Sequence, residues 1–234
     1  MPEIGSPVYV AVLLLAIGAG AVYWHRQARH DSRLPLVYAG GLAGAFLGAK
    51  LAYLCAEGWL LRDHPQRWLL WAAGKSVSGA LPGGWLGVEA AKRLVGLRVS
   101  TGDRFVLLLP PALFFGRIGC LHAGCCRGVM LDHGGRWPAV EVEMGFQVVA
   151  FAVLWWWARR GWCRDCRFFA YLIAYGLFRF AHEFLRDTPK PFLGFSGYQI
   201  IALATAAAAA VGWRMRRAKA GSGSLQDPDC KIFM

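Results

Sequence analysis

Seven apolar runs set the limits on this chain, at roughly 8–24, 34–56, 68–95, 105–121, 144–158, 168–185 and 197–213. A helix needs about 20 apolar residues to cross the hydrocarbon of a bilayer. Only helices and closed barrels satisfy their backbone there, and runs of this length have the length of helices rather than of strands. The expected fold is all-α: a polytopic membrane protein of about seven transmembrane helices. Residues 1–217 form its membrane domain, and 218–234 form a flexible polar tail.

The third run is too long for one helix. KSVSGALPGGWLG interrupts it, with Pro82 removing a backbone donor and Gly79, Gly83 and Gly84 lowering helix preference. A broken or re-entrant segment is expected there, of the kind that survives at membrane depth when buried in protein or lining a wet cavity. Gly40, Gly44 and Gly48 recur every four residues, as do Gly83 and Gly87, a spacing that lets helix backbones approach closely in lipid. Trp24, Trp68, Trp213 and the triplet 155–157 lie at run ends and read as interfacial anchors.

The net charge of +12 raises the question of nucleic acid. The basic residues are dealt out in small groups between apolar runs, which fits membrane orientation better than a nucleic-acid surface. The loops after runs 1, 3, 5 and 7, taken to residue 219 and together with Lys92 and Arg93 at the end of run 3, carry 15 Lys and Arg, against 6 on the other side. That bias places the N-terminus outside and the C-terminus in the cytoplasm. MPEIGSP has no basic stretch of the kind that opens a cleavable signal peptide.

Arg117, in PPALFFGRIGC, and Arg179, in FFAYLIAYGLFRFAHEFLRD, interrupt apolar sequence at outward run ends. Arginine so near hydrocarbon is costly unless it snorkels or is paired. Two guanidinium forks at similar depth suit one anionic headgroup, because each offers a bidentate grip on phosphate. Independent snorkelling or packing pairs are the alternative. Glu183 follows Arg179 by four residues, Arg186 follows Glu183 by three, and Tyr175 precedes Arg179 by four. One polar stripe results, in which Glu183 either orients an arginine, accepts a proton, or forms a structural ion pair. Lys50 lies well inside the second run, and Lys75 precedes the broken segment within reach of a phosphate.

GRIGCLHAGCCRG places Cys120, His122, Cys125 and Cys126 together. Their spacing matches no standard zinc module. A Cys125–His122 nucleophile, packed thiols and a disulfide remain open. A single CRDC is too little for a metal knuckle, and no P-loop, dinucleotide fingerprint or HExxH occurs. No metal and no cofactor is expected.

In chain order, KSVSGALPGGWLGVEAAK, GRIGCLHAGCCRG, YGLFRFAHEFLRD and GFSGYQIIALA resemble segments of the prolipoprotein diacylglyceryl transferase family across much of 40–213. The resemblance implies a seven-helix enzyme of the bacterial inner membrane with its site near the outer face. Such enzymes move diacylglycerol from phosphatidylglycerol, an anionic phospholipid, to a lipoprotein cysteine thiol. Arg117 and Arg179 match the family's essential arginines, Glu183 and Arg186 its late polar partners, and Gly116, Gly119 and Gly128 its signature glycines. Pro82 stands where the family has a histidine, Cys120 and Ala123 where it has asparagines, and Cys125 where it has a glutamate. The implied mechanism holds the phosphate with the two arginines and needs Glu183, His122 or His182 as base. Cys125 as covalent nucleophile with a different acceptor, and a non-enzymatic anionic-lipid-binding protein, are the rival readings.

Overall fold

The computed structural model describes residues 7–28, 31–124, 126–132 and 134–221. Its helices are α1 (Pro7–Gln27), α2 (Leu34–Ala56), α3 (Arg67–Ala73), α4 (Val77–Leu94), α5 (Gly102–Val106), α6 (Leu109–His122), α7 (Ala139–Arg160), α8 (Arg167–His182) and α9 (Gly197–Gly221). Short 3-10 turns cover Gly58–Leu61 and Glu183–Leu185. Among the described residues the only β pairing is isolated bridges. The fold is all-α, and each of the seven apolar runs holds one helix or a broken pair.

The distribution of polarity is inverted relative to a water-soluble protein. Leu15, Leu86 and Val149 are 73%, 68% and 63% exposed, whereas Glu143 and Glu183 are fully buried. In water, charged residues are almost never buried so deeply and large apolar patches are rare. By length and apolarity α2, the α5–α6 stretch Gly102–His122 and α7 are each sufficient to cross a membrane. This is a membrane protein.

α2 and α4 pack backbone to backbone along the glycines. A Cβ added to Gly44 would lie 2.8 Å from the Cα of Gly87, and one on Gly48 would lie 2.8 Å from the Cα of Gly83. Carbon atoms prefer about 3.5–4.0 Å, so this seam admits only hydrogen. The expected small-residue packing is therefore realised.

The central interruption is real, but it lies upstream of its expected position. The chain breaks at residues 74–76, between α3 and α4, and Pro82 sits inside α4. Pro82 removes one intrahelical bond, yet the close fit of its neighbours Gly79 and Gly83 against α2 holds that turn in place. Lys50 stabilises the actual break. Its ammonium donates to the carbonyls of Trp71, Ala72 and Gly74, the last two at 2.8 and 3.2 Å. These are terminal carbonyls of α3 that otherwise lack partners. Ser76 N–H donates to the Ala49 carbonyl at 3.0 Å, tying the same joint to α2.

Trp24 departs from its expected role as an interfacial anchor. It is fully buried, 4.6 Å from the Phe105 ring and 6.2 Å from that of Tyr38. It packs α1 against α2 and α5. Trp155 and Trp156 are exposed under Arg159 and Arg160, at 4.2 and 5.2 Å, as suits a headgroup boundary. Cys55 is exposed. α9 continues helically to Gly221, past the expected start of the tail at 218, and 222–234 lie outside the described residues. The CRDC turn is held by Asp103, which accepts from the N–H groups of Asp165 and Arg167 at 2.8 and 3.1 Å. Those two bonds clip the turn to α5.

Candidate active site

One end of the bundle gathers the last turns of α6 and α8, the first turns of α7 and α9, and the end of α2. One short antiparallel bridge knits this end together. Gly128 pairs with Arg186, and Val129 N–H donates to the Leu185 carbonyl at 3.0 Å. A Cβ on Gly128 would come within 2.7 Å of the Trp137 side chain. Glycine is what lets the 126–137 loop lie flat against Trp137 and deliver Arg186 to the interior.

Inside lies a cluster of charge. Arg117 Nη2 donates to Glu143 Oε1 at 2.6 Å, and the Tyr175 hydroxyl donates to the same oxygen at 2.9 Å. Arg179 Nη1 stands 2.6 Å from Glu183 Oε2, an ionic contact that lacks the alignment of a hydrogen bond. Arg186 lies between the two acids, 3.4 Å from Glu183 Oε2 and 3.8 Å from Glu143 Oε2. Glu183 Oε1 accepts from Thr188 at 2.8 Å and from Ser196 at 3.3 Å. All three arginines and both acids are buried. Charges at this depth persist only when paired, because desolvation otherwise outweighs what they gain.

Among the buried members of the cluster, three cations face two anions. The arginines are also not saturated. Arg179 Nε has no hydrogen-bond partner among the described residues, nor does the buried Ser78 hydroxyl. Both residues line a crevice between α4, α8 and α9, together with Tyr175, Gly176 and Thr205. Ser78 occupies the second residue of α4, immediately after the break that Lys50 secures. Unused donors and surplus positive charge at a helix start suit an anionic, oxygen-rich group.

The structure brings Arg117, Arg179, Glu183, Arg186 and Tyr175 together. Gly119 is buried on α6 beneath them, while a Cβ on Gly116 would meet nothing within 4 Å. His122 is exposed at the end of α6, and Lys75 is exposed beside Lys50. Neither reaches the arginines through a described contact. Cys125 lies outside the described residues. Its neighbour Cys126 is at the site instead, with a left-handed φ of 62°. Its sulfur lies 3.6 Å from Arg117 Nη1, with Arg186 close enough to interact with it electrostatically. Cys120 is also 3.6 Å from Arg117 Nη1. His182 is buried and stacked on Phe178 at 5.0 Å, with Nε2 accepting from the Trp137 indole at 3.3 Å. Among the described residues no group of three or more His, Cys, Asp or Glu could hold a metal.

Sequence reasoning missed Glu143, the partner of Arg117. Its signal was a second acid in VEVEMG, two residues after the exposed Glu141 and four before the buried Gln147. Ser78 was missed as well, because Pro82 drew attention to the following turn.

Comparison with known proteins addresses the same residues. The profile of the prolipoprotein diacylglyceryl transferase family matches residues 4–215. A phosphatidylglycerol–prolipoprotein diacylglyceryl transferase from Nitratidesulfovibrio vulgaris strain Miyazaki F is 30% identical over 194 residues, covering 75% of this chain and 69% of the relative. Relatives of the same name from two other strains of that species are covered over 65% of their length, so the chain spans about two thirds of these relatives. Those from Cupriavidus necator and Clostridium tetani are 32% and 28% identical, covering 80% and 78% of this chain and 76% and 81% of theirs. No solved structure matches the chain. The matched span includes every helix that contributes to the arginine cluster, and on that extent of agreement the chain belongs to the prolipoprotein diacylglyceryl transferase family.

Proposed function

We propose that this chain transfers the diacylglyceryl group of phosphatidylglycerol to the cysteine thiol of a prolipoprotein. The observation that carries the reading is a pair of buried donors, Arg179 Nε and the Ser78 hydroxyl, that have no hydrogen-bond partner among the described residues, beside the buried guanidinium groups of Arg117, Arg179 and Arg186. A phosphodiester bears one negative charge. The names of the relatives point to the same donor and acceptor.

Arg117 and Arg179 hold the donor phosphate, with Arg186 and the Ser78 hydroxyl as further donors. Thiolate attack on the glyceryl carbon breaks its bond to the phosphate oxygen. The guanidinium groups stabilise the charge that develops on that oxygen, and their placement before the reaction is what gives such stabilisation its catalytic value. Glu143 and Glu183 keep the arginines in place, and Tyr175 fixes the Glu143 carboxylate.

The reading places the protein in a bacterial inner membrane, crossing it about seven times, with the N-terminus outside and the C-terminus in the cytoplasm. The arginine cluster then faces the outer leaflet. A non-enzymatic lipid-binding role is the second reading. It is favoured by Pro82, Cys120, Ala123 and Cys125, which stand at positions where the family carries polar groups.

Arg117→Lys and Arg179→Lys test the donor site, because lysine keeps the charge and loses the fork. Each is expected to weaken phosphatidylglycerol binding in nanodiscs at least about tenfold, a loss within the range for one charge-assisted hydrogen bond. The double variant should lose less than the product of the two. Wild-type affinity in both single variants would exclude the clamp. Thioether formation on a cysteine-bearing lipoprotein precursor separates the enzyme from the binder.

A further inference from the structure

The arginine cluster has two carboxylates, and both are ion-paired with arginines, which favours their ionised form and makes them weak bases. Glu143 is engaged by Arg117 and Tyr175, and Glu183 by Arg179, Thr188 and Ser196, with both side chains fully buried. A reaction that begins with a thiol must deposit that proton somewhere. His122 is exposed and apart, and His182 is buried with Nε2 held by Trp137.

A third acid stands at the rim. Glu57 is the residue that ends α2, and it is half-buried rather than sealed. The approach of α2 to α9 fixes its position: a Cβ on Gly197 would lie 2.7 Å from the Cα of Ala56. That fit sets Glu57 near Tyr198, whose hydroxyl favours the ionised form of its carboxyl. Glu183 and Arg186 face it from the end of α8, and Cys126 faces it from the loop after α6. Tyr53 lies one turn earlier on α2. Among the described residues Glu57 forms no ion pair, although it lies within electrostatic range of the same Arg186 and Cys126 that border the cluster.

We infer that Glu57 is the general base of this site, taking the proton of the incoming cysteine thiol. The inference rests on the diacylglyceryl transfer proposed above. The step balances as follows. The Glu57 carboxylate accepts the thiol proton, and the sulfur electron pair forms the new bond to the glyceryl carbon. The bond from that carbon to the phosphate oxygen breaks, and its electron pair leaves with glycerol phosphate. The proton on Glu57 then passes to the departing phosphate, whose second ionisation lies near pH 6, and the carboxylate is restored.

The surroundings suit this task. Burial pushes the Glu57 carboxyl above the usual carboxylate range, and the nearby charge of Glu183 acts in the same direction, while Arg186 and Tyr198 act against them. A base is most effective when its pKa lies toward the working pH. The partial exposure of Glu57 also leaves a route for an acceptor approaching from outside the bundle, which Glu143 and Glu183 lack.

The test uses the full chain in nanodiscs containing phosphatidylglycerol. The acceptor is a synthetic peptide with an apolar segment and a single cysteine. Glu57→Gln is expected to lower kcat at least about 100-fold, as loss of a positioned general base does, with phosphatidylglycerol affinity unchanged. Glu57→Asp should recover part of the loss. Tyr198→Phe should move the acid limb of the wild-type rate profile to higher pH, because the carboxyl loses a hydroxyl that favours its ionised form. An unchanged kcat in Glu57→Gln, or an acid limb that survives in it, overturns the assignment while leaving the transferase reading intact. Loss of phosphatidylglycerol binding in Glu57→Gln assigns the residue to the donor pocket and overturns it also. A wild-type protein that neither binds phosphatidylglycerol nor modifies the peptide overturns the transferase reading itself, and the base with it.

Discussion

Glu143→Gln removes one charge and almost no volume, so its effect measures the electrostatic design of the cluster. The carboxylate contacts Arg117 at 2.6 Å and Arg186 at 3.8 Å. At an effective dielectric of ~20 these attractions are about 6 and 4 kcal/mol. Against them stands the desolvation of a fully buried carboxylate, which the amide largely avoids and which is several kcal/mol. The amide still accepts the Tyr175 hydroxyl, but it presents N–H toward one of the arginines. The net loss should be about 3–5 kcal/mol, as for other buried pairs broken from one side. For a chain of this size that corresponds to a fall in Tm of roughly 6–20 °C. Glu141→Gln is the control. It lies on the same helix, exposed and without an ion pair among the described residues, and should change stability by no more than about 0.5 kcal/mol. Denaturation of both variants in the same detergent decides the matter. Equal stability of the two would refute the claim that Glu143 holds Arg117 and Arg186 in place.

Other outcomes follow from the same structure. Gly83→Ala should destabilise by about 1–3 kcal/mol through overpacking against α2, whereas Gly145→Ala, whose Cβ would meet nothing within 4 Å, should stabilise by up to about 1 kcal/mol through helix propensity; detergent denaturation of the pair checks the signs. Lys50→Met should loosen the joint between α3 and α4, read as faster amide exchange at residues 74–76. Single cysteines placed at 131 and at 164 in a background without other reactive thiols should label from opposite sides of the membrane. Labelling of both from one side would reject the alternating topology.

The sequence made the arginine stripe legible because helical spacing is local. Tyr175, Arg179, Glu183 and Arg186 share a face whatever the rest of the chain does. Glu143 was hidden because two acids near a helix start read as complements to the helix dipole. Only tertiary packing decides that Glu141 faces outward and Glu143 inward. The break was misplaced because proline carries a stronger local signal than Gly74 and Ser76, while the group that stabilises the actual joint, Lys50, comes from another helix. Trp24 misled for a similar reason. An aromatic at a helix end suits both a headgroup boundary and a buried contact, and Phe105, far along the chain, decides between them.

The glycine seam also governs how a lipid can reach the arginines. α2 and α4 meet with no room for even a methyl group between them at Gly44 and Gly87 or at Gly48 and Gly83. An acyl chain is wider than a methyl group, so this flank is a closed wall. The two helices must move as one plank, and any portal that admits a two-tailed substrate sideways from the bilayer has to open elsewhere. It must lie between helices whose contacts are made by side chains, which can change rotamer and let a tail pass.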